Sequence, residues 1–444
     1  MPQDQSSNRP NVTEEVAKPP HTAIQAKLIE LWQSVLEVEV SIHDNFFDCG
    51  GDSIKAALFF NRLQQQFGGI FYIVTLFEAP TIAEFETYLH QHYPELAARM
   101  MGRAVASSAA SRDRLQPEHI AQMRRLIAPP AEDLSITPKN PPACFILSAA
   151  RSGSTLLRII LAGHPQLFAP PQLCLLQFNT LMERKASLSG NYSFWREGAV
   201  QALKQVQGAT TEAAQVLMQS LEEQLTTQDF YGWLQQRLQG RLLVDKTTTY
   251  PLNLATLQRA ETWFDAPLYI HLTRHPHGAI RSFEEAKLDL TLPPFIPGLK
   301  SREAASFNRR EQAELLWLIS NQNILAFLQG IPQQRQYRLR FEDLVVQPED
   351  SIRGLCQFLD LPFDAGMLRP YAAPEAKMTE GLSSQSGMLG DLKFYQHKGI
   401  NPAVADSWKR YSTAELSEPA LAVAQRLGYG EAIAATSERE EGEL

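Results

Sequence analysis

Hydrophobic residues recur at helical spacing in three stretches near the start of the chain. In TAIQAKLIELWQSVLE, Ile24, Leu28, Leu31, Trp32 and Leu36 share one face, which predicts an amphipathic helix. SIKAALFFNRLQQQFG predicts a second, with Ile54, Ala57, Leu58 and Leu63 turned inward. TIAEFETYLHQHY predicts a third, with Thr81 as N-cap and Glu84 completing a capping box. A short helical turn near residues 74–77 links them. The expectation for residues 21–95 is a small all-α helical bundle. Over residues 143–432 short apolar runs alternate with helical periodicity, which predicts an α/β domain with a P-loop-like central parallel sheet. Residues 144–147 read as a buried strand, and Leu156, Leu157, Ile159, Ile160 and Leu161 as an apolar helix. LYIHLTRHPHGAIRSF reads as a strand reaching Arg274, a turn at Pro276 and a helix.

The 444 residues suffice for about two or three domains. Residues 1–20, with Pro10, Pro19 and Pro20, read as a flexible lead-in. Residues 96–142 read as a linker, and 433–444 as a charged tail. A net charge of −8 argues against a nucleic-acid partner. Any anionic ligand must then be met by local cations. Cys49, Cys144, Cys174 and Cys356 form no CxxC pair, and no metal site is expected. The absence of a signal-like start and of a long apolar run predicts a cytoplasmic protein without membrane contact.

Two loops carry chemistry. Between the first two helices, DNFFDCGGDSIKA puts Asp52 and Ser53 at a helix start after Gly50 and Gly51. An exposed serine at the positive helix end suits a phosphodiester, while a simple helix cap reads equally well. Further on, Arg151-Ser152-Gly153-Ser154-Thr155 joins a strand to a helix, a geometry that aims backbone N–H groups at a phosphate. A nucleoside-triphosphate loop would need lysine where Ser154 stands, which disfavours a kinase. An ordinary strand-to-helix turn is the plain alternative.

NFFDCGGDSIKA closely resembles the attachment motif of acyl and peptidyl carrier proteins, most like the nonribosomal-peptide type. The resemblance implies 4′-phosphopantetheine on Ser53, installed by a phosphopantetheinyl transferase and carrying an acyl or peptidyl thioester. ARSGSTLLR resembles the arginine-type loop of sulfotransferases that use 3′-phosphoadenosine 5′-phosphosulfate (PAPS). It implies that Ser152, Gly153, Ser154 and Thr155 hold the 5′-phosphate and that Arg151 stabilises the leaving oxygen. Arg274 and Ser282 resemble the family's 3′-phosphate site, where an arginine fork and a hydroxyl meet the anion. LLVDKTTTYPLN matches the Asp-Lys-Thr segment, placing Lys246 near the sulfuryl group or the acceptor. Phe341 replaces the family's usual tyrosine, which implies a lost hydrogen bond near the adenine. GDLKFYQHKGINPAVADSWKRY resembles the family's late loop and closing helix, with Asp391, Lys393 as a phosphate ligand and His397 as a catalytic candidate.

One departure from the family pattern stands out. Carrier-linked sulfotransferases often show Pro-Pro-Glu-Leu-His, with the glutamate as base, where this chain has Pro170-Pro171-Gln172-Leu173-Cys174. Gln172 accepts no proton at neutral pH. Substitute bases are His397, His271 and His164, with the Cys174 thiol a fourth candidate. The resemblance implies sulfuryl transfer to a hydroxyl on a tethered acyl or peptidyl chain in polyketide or nonribosomal-peptide biosynthesis. Assembly-line synthases, and a separate thioesterase, would then be partners. The other reading is a carrier and scaffold module that binds nucleotide but has lost or altered turnover at Gln172 and Cys174.

Overall fold

The computed structural model describes residues 22–67, 74–102, 115–129, 138–301, 306–373, 377, 399–410 and 415–430. The lead-in over 1–20, the tail over 433–444, and Asp391, Lys393 and His397 lie outside the described residues. Two compact units divide the chain, Met1–Ser108 and Ala109–Leu444.

Among the described residues the regular elements of the first unit are helices: α1 (Ala23–Leu36), α2 (Ser53–Phe67), α3 (Val74–Glu78), α4 (Ile82–His92) and α5 (Pro94–Met100). Thr22 caps α1, its Oγ1 accepting the Gln25 N–H at 3.0 Å. The Thr81–Glu84 capping box opens α4 as its sequence predicts. Trp32 meets Phe46 edge-on at 4.9 Å, and Phe59 meets Phe85 at 5.6 Å, in a buried aromatic core. Buried Glu86 accepts from Gln25 Nε2 at 2.7 Å and Thr22 Oγ1 at 2.6 Å, tying α4 to α1.

The inward face of α2 differs from the expected one. Leu58 is 47% exposed, while Ala56, Phe59, Phe60 and Leu63 are buried. Those four follow i, i+3, i+4 and i+7 spacing, and Leu58 falls off that stripe. The side chains of Ile54 and Ala57 lie outside the described residues. Packing also continues past residue 95, because α5 buries Leu96, Ala97 and Met100.

In the second unit α6 (Pro117–Leu126) comes first, within the stretch that reads as a linker. Its Met123 and Leu126 are buried in a core cluster with Phe295 and Ile296. The flanking residues 103–114 and 130–137 lie outside the described set. There follow β1 (Ala143–Leu147), α7 (Ser154–Leu161), β2 (Leu167–Phe168), α8 (Leu181–Ser187), α9 (Glu197–Gln207), α10 (Thr211–Glu222) and α11 (Thr227–Gln235). The chain continues through β3 (Leu242–Lys246), α12 (Leu254–Trp263), β4 (Leu268–Thr273), α13 (Pro276–Ala286) and α14 (Arg309–Leu328). It closes with β5 (Gln336–Arg340), α15 (Phe341–Val346), α16 (Pro348–Phe358) and α17 (Glu418–Arg426).

The five strands pair in the order β2-β3-β1-β4-β5, all parallel. All five residues of β1 are buried, as a central parallel strand requires. The chain starts at β1, passes to the edge strand β2, returns with β3 between β2 and β1, and then crosses to β4 and β5 on the other side. The carboxyl end of β1 is thus the point where the winding reverses, the usual place for a ligand crevice in an open parallel sheet. Among the described residues no helix is long and apolar enough to cross a membrane.

Candidate functional site

The site grows from the loop between β1 and α7. Arg151 and Gly153 both take left-handed backbone conformations, with φ of +66° and +88°. Such angles disfavour a side chain, so an arginine held there is a constrained feature. Gly153 is the N-cap of α7 and leaves its first turn without a side-chain cap. The N–H groups opening the helix are therefore available to an anion. A Cβ on Gly153 would lie 2.2 Å from the Phe341 ring, so only glycine fits.

Two sequence motifs far apart in the chain meet here. Arg274, just past β4, donates from Nη1 to the Arg151 carbonyl at 2.7 Å. Arg151 Nε donates to Ser282 Oγ on α13 at 3.0 Å. Phe341 lies beneath the Arg274 guanidinium, 4.7 Å from ring centre to carbon. The aromatic ring that replaces tyrosine thus covers Gly153 and steadies Arg274.

Lys246 reaches the same place from the end of β3, paired in register with Ile146 of β1. It is buried, and burial, together with the nearby Arg158 charge, pushes its ammonium down to about 7. Beneath it, Asp245 anchors a polar network. Its carboxylate accepts from Tyr231 Oη, from Tyr250 Oη at 2.8 Å and from Thr247 Oγ1 at 3.1 Å. Tyr250 Oη accepts the Leu175 N–H at 2.9 Å, and Thr247 Oγ1 the Cys174 N–H at 3.3 Å. Arg184, fully buried on α8, donates from Nε to the Leu173 carbonyl at 2.9 Å. These bonds bind the Lys246 strand end to the Gln172-Leu173-Cys174 turn.

Of the candidate bases on that turn and elsewhere, the described ones are unsuited. Cys174 is buried with φ +51°, and burial pushes its thiol up to about 12. His271 is buried on β4, and burial lowers it to about 3. His164 is spent structurally: Nε2 meets the Pro362 carbonyl at 2.9 Å, and Nδ1 accepts the Gln166 N–H at 3.1 Å.

A cavity of about 410 Å³ brings together Arg151, Gly153, Ser154, Thr155, Lys246, Arg274 and Ser282, seven of the sequence-predicted residues. Gln172 lines it as well. Ser152 is buried and does not line it. In Ser53's unit, Asp52 Oδ1 accepts the Lys55 N–H at 2.8 Å, so Asp52 caps α2 and Ser53 is its first residue. Gly51 is pressed against Phe46, where a Cβ would sit 2.3 Å from a carbonyl.

Several wall residues are not among those singled out from the sequence. Thr248, Trp195, Tyr371 and Trp408 line the cavity. Thr248 is adjacent to the Asp-Lys-Thr segment and could have been found there. Trp408 lies in the segment that resembles the closing helix, but its stacking on His275 at 3.6 Å joins residues far apart in the chain. Charged wall residues are Arg151, Lys246, Arg274 and Arg281 against Glu285, a local excess of cations in an acidic chain. Among the described residues no group of three His, Cys, Asp or Glu side chains could hold a metal ion.

Comparison with known proteins agrees with both units. Residues 142–365 match the sulfotransferase family, and residues 26–89 match the phosphopantetheine attachment site family. The sulfotransferase domain from the curacin biosynthetic pathway is 39% identical, with a TM-score of 0.60. That likeness covers 66% of this chain and 99% of that one. The sulfotransferase domain from the Synechococcus PCC 7002 olefin synthase is 35% identical, with a TM-score of 0.56, covering 66% and 96%. Surfactin synthase subunit 2 of Bacillus subtilis is 40% identical over 73 residues, 16% of this chain. Tyrocidine synthase 3 of Brevibacillus parabrevis is 34% identical over 123 residues, 28% of this chain. The chain spans only 2% of the length of each of these two synthases.

Proposed function

The chain belongs to the sulfotransferase family and carries a phosphopantetheine carrier domain, and on that premise we propose its reaction. It transfers a sulfuryl group from PAPS to a hydroxyl of an acyl or peptidyl chain held as a phosphopantetheine thioester on Ser53. The observation that carries this reading is the hydrogen-bonded junction of the Arg151 loop with Arg274 and Ser282 around one cationic cavity. In it, the backbone N–H groups at the start of α7 hold the 5′-phosphate, and Arg274 with Ser282 holds the 3′-phosphate. The Arg151–Ser282 bond gives way as the two phosphates take their places.

Transfer is in-line. The acceptor oxygen attacks sulfur while the bond to the bridging oxygen breaks, leaving adenosine 3′,5′-bisphosphate. Positioning and charge stabilisation supply the catalysis. Arg151 meets the charge building on the bridging oxygen, and Lys246 meets the sulfuryl oxygens. When bound, phosphopantetheine supplies a flexible thioester tether that delivers the acyl chain. Assembly-line synthases are the expected source of that chain, a phosphopantetheinyl transferase loads the arm, and a separate thioesterase releases the product. Lys393 and His397 remain candidates for phosphate binding and catalysis.

Calorimetry tests the nucleotide reading. Adenosine 3′,5′-bisphosphate is expected to bind at least about tenfold more tightly than AMP, a preference that Arg274→Ala removes. Equal affinity for the two nucleotides in the unaltered protein would defeat it. A second reading, a scaffold that binds nucleotide without turnover, is favoured by Gln172 and Cys174. Intact-protein mass spectrometry separates the two, because only the enzyme adds a sulfuryl mass to a loaded arm.

A further inference from the structure

The cavity wall at Gln172 has a polarity opposite to that of a proton acceptor. Gln172 Oε1 lies 3.3 Å from the backbone nitrogen of Thr248 and 3.2 Å from its Oγ1. A backbone N–H only donates, so the atom facing it is the amide oxygen. Turning the amide round would set N–H against N–H. The oxygen is thus committed to Thr248. What remains is the NH₂ group, which has no hydrogen-bond partner among the described residues.

The peptide itself is fixed, since a Cβ at Gly198 of α9 would lie 2.0 Å from the Gln172 carbonyl oxygen. Lys246 and Arg151 line the same cavity. The described lining carboxylate, Glu285, is held by Arg281 at 3.1 Å. Lys246 sits among Arg158, Arg151, Asp245 and Cys174, and a bound polyanionic donor favours its protonated form. Donors and cations therefore line the cavity, and the described carboxylate among its lining residues is already paired.

We propose that the acceptor is an acidic hydroxyl on the carrier-bound chain, a phenol, enol or N-hydroxy group that reacts as its anion, rather than an aliphatic alcohol. This rests on the sulfuryl-transfer reading above and narrows its substrate class. A phenol ionises near pH 10 in water, and Lys246, Arg151 and the Gln172 NH₂ group favour the anion within reach of neutral pH. The proton leaves to solvent before transfer. The acceptor O⁻ then gives its electron pair to sulfur, the new O–S bond forms, and the S–O bond to the 5′-phosphate breaks. The leaving pair stays on the phosphate oxygen. No general base among the described residues enters the step.

The test uses full-length protein loaded on the carrier with either 4-hydroxybenzoyl-pantetheine or 3-hydroxybutyryl-pantetheine, given PAPS and followed by intact-protein mass spectrometry. The phenolic arm is expected to gain the sulfuryl mass, and the aliphatic arm to react at least about 100-fold more slowly, the usual weight of a missing general base. Gln172→Glu is expected to reverse the preference, since a carboxylate accepts a proton from an alcohol and repels a phenolate. Equal or faster transfer to the aliphatic arm by the unaltered protein overturns the proposal and leaves sulfuryl transfer standing. So does aliphatic transfer that Lys246→Met abolishes, because it would make Lys246 the base. Silence with both arms, in the unaltered protein and in Gln172→Glu, overturns the proposal together with the reaction it rests on.

Discussion

Lys246 links the charge of the cavity to pH. Its folded-state value of about 7 lies below the unfolded value of about 10.4. Between those limits the unfolded chain binds the extra proton, so this residue's contribution to stability rises with pH and is lost as pH falls toward 7. Nucleotide binding runs the other way, because an anion recruits the protonated lysine. Affinity for adenosine 3′,5′-bisphosphate is therefore expected to weaken from pH 7 to pH 9, by up to about tenfold per unit. Lys246→Met should flatten that slope in calorimetry. A slope unchanged by the substitution would show that Lys246 does not face the ligand. Gly153 illustrates the opposite kind of residue, required for what it lacks: its left-handed φ and the ring of Phe341 exclude any side chain.

The elements that carry these residues are locked to one another by polar bonds as well as by packing. Tyr250 Oη links the Asp245 carboxylate at the end of β3 to the Leu175 N–H beside the Gln172 turn. Tyr250→Phe removes that oxygen and leaves a buried N–H without its acceptor, which costs about 1–3 kcal/mol. Thermal unfolding should report that loss, and Gln172 would lose its fixed position in the cavity wall. A melting point equal to that of the unaltered protein would mean the turn is held by Arg184 and packing alone. The strands that end at Lys246 and just before Arg274 flank β1 on either side, so the parallel sheet delivers three loops to its carboxyl end.

At the scale of the whole molecule, two units with different folds share one chain. In the proposed reaction, tethering the acceptor would raise its local concentration, to about the millimolar range for short flexible linkers, and so favour one loaded substrate over free competitors. Ser53→Ala is expected to abolish arm loading while leaving the melting temperature and transfer to a free acceptor unchanged. Retained loading, seen as a pantetheine mass on the variant, would place the attachment elsewhere. The acidic chain and the cationic cavity follow a common logic: net charge of −8 keeps the surface repellent to polyanions at large, while Arg151, Lys246, Arg274 and Arg281 concentrate attraction in one cleft.

The sequence alone determined both fold classes, because helical periodicity and buried strand runs are local signals. It also determined the strand-to-helix loop over residues 151–155, because a small-residue turn between strand and helix is contiguous in the chain. The face of α2 was less legible: with apolar residues all round SIKAALFF, spacing did not separate exposed Leu58 from buried Phe59 and Phe60. Tertiary structure decided what depends on long-range contact. It joined Arg151 to Ser282 and Arg274, took His271, His164 and Cys174 out of acid–base chemistry by burial or bonding, and brought Trp408 from the far end of the chain to the cavity. It also turned the Gln172 amide so that a donor, not an acceptor, faces the cavity, a polarity set by the backbone N–H of Thr248 and invisible in the order of residues.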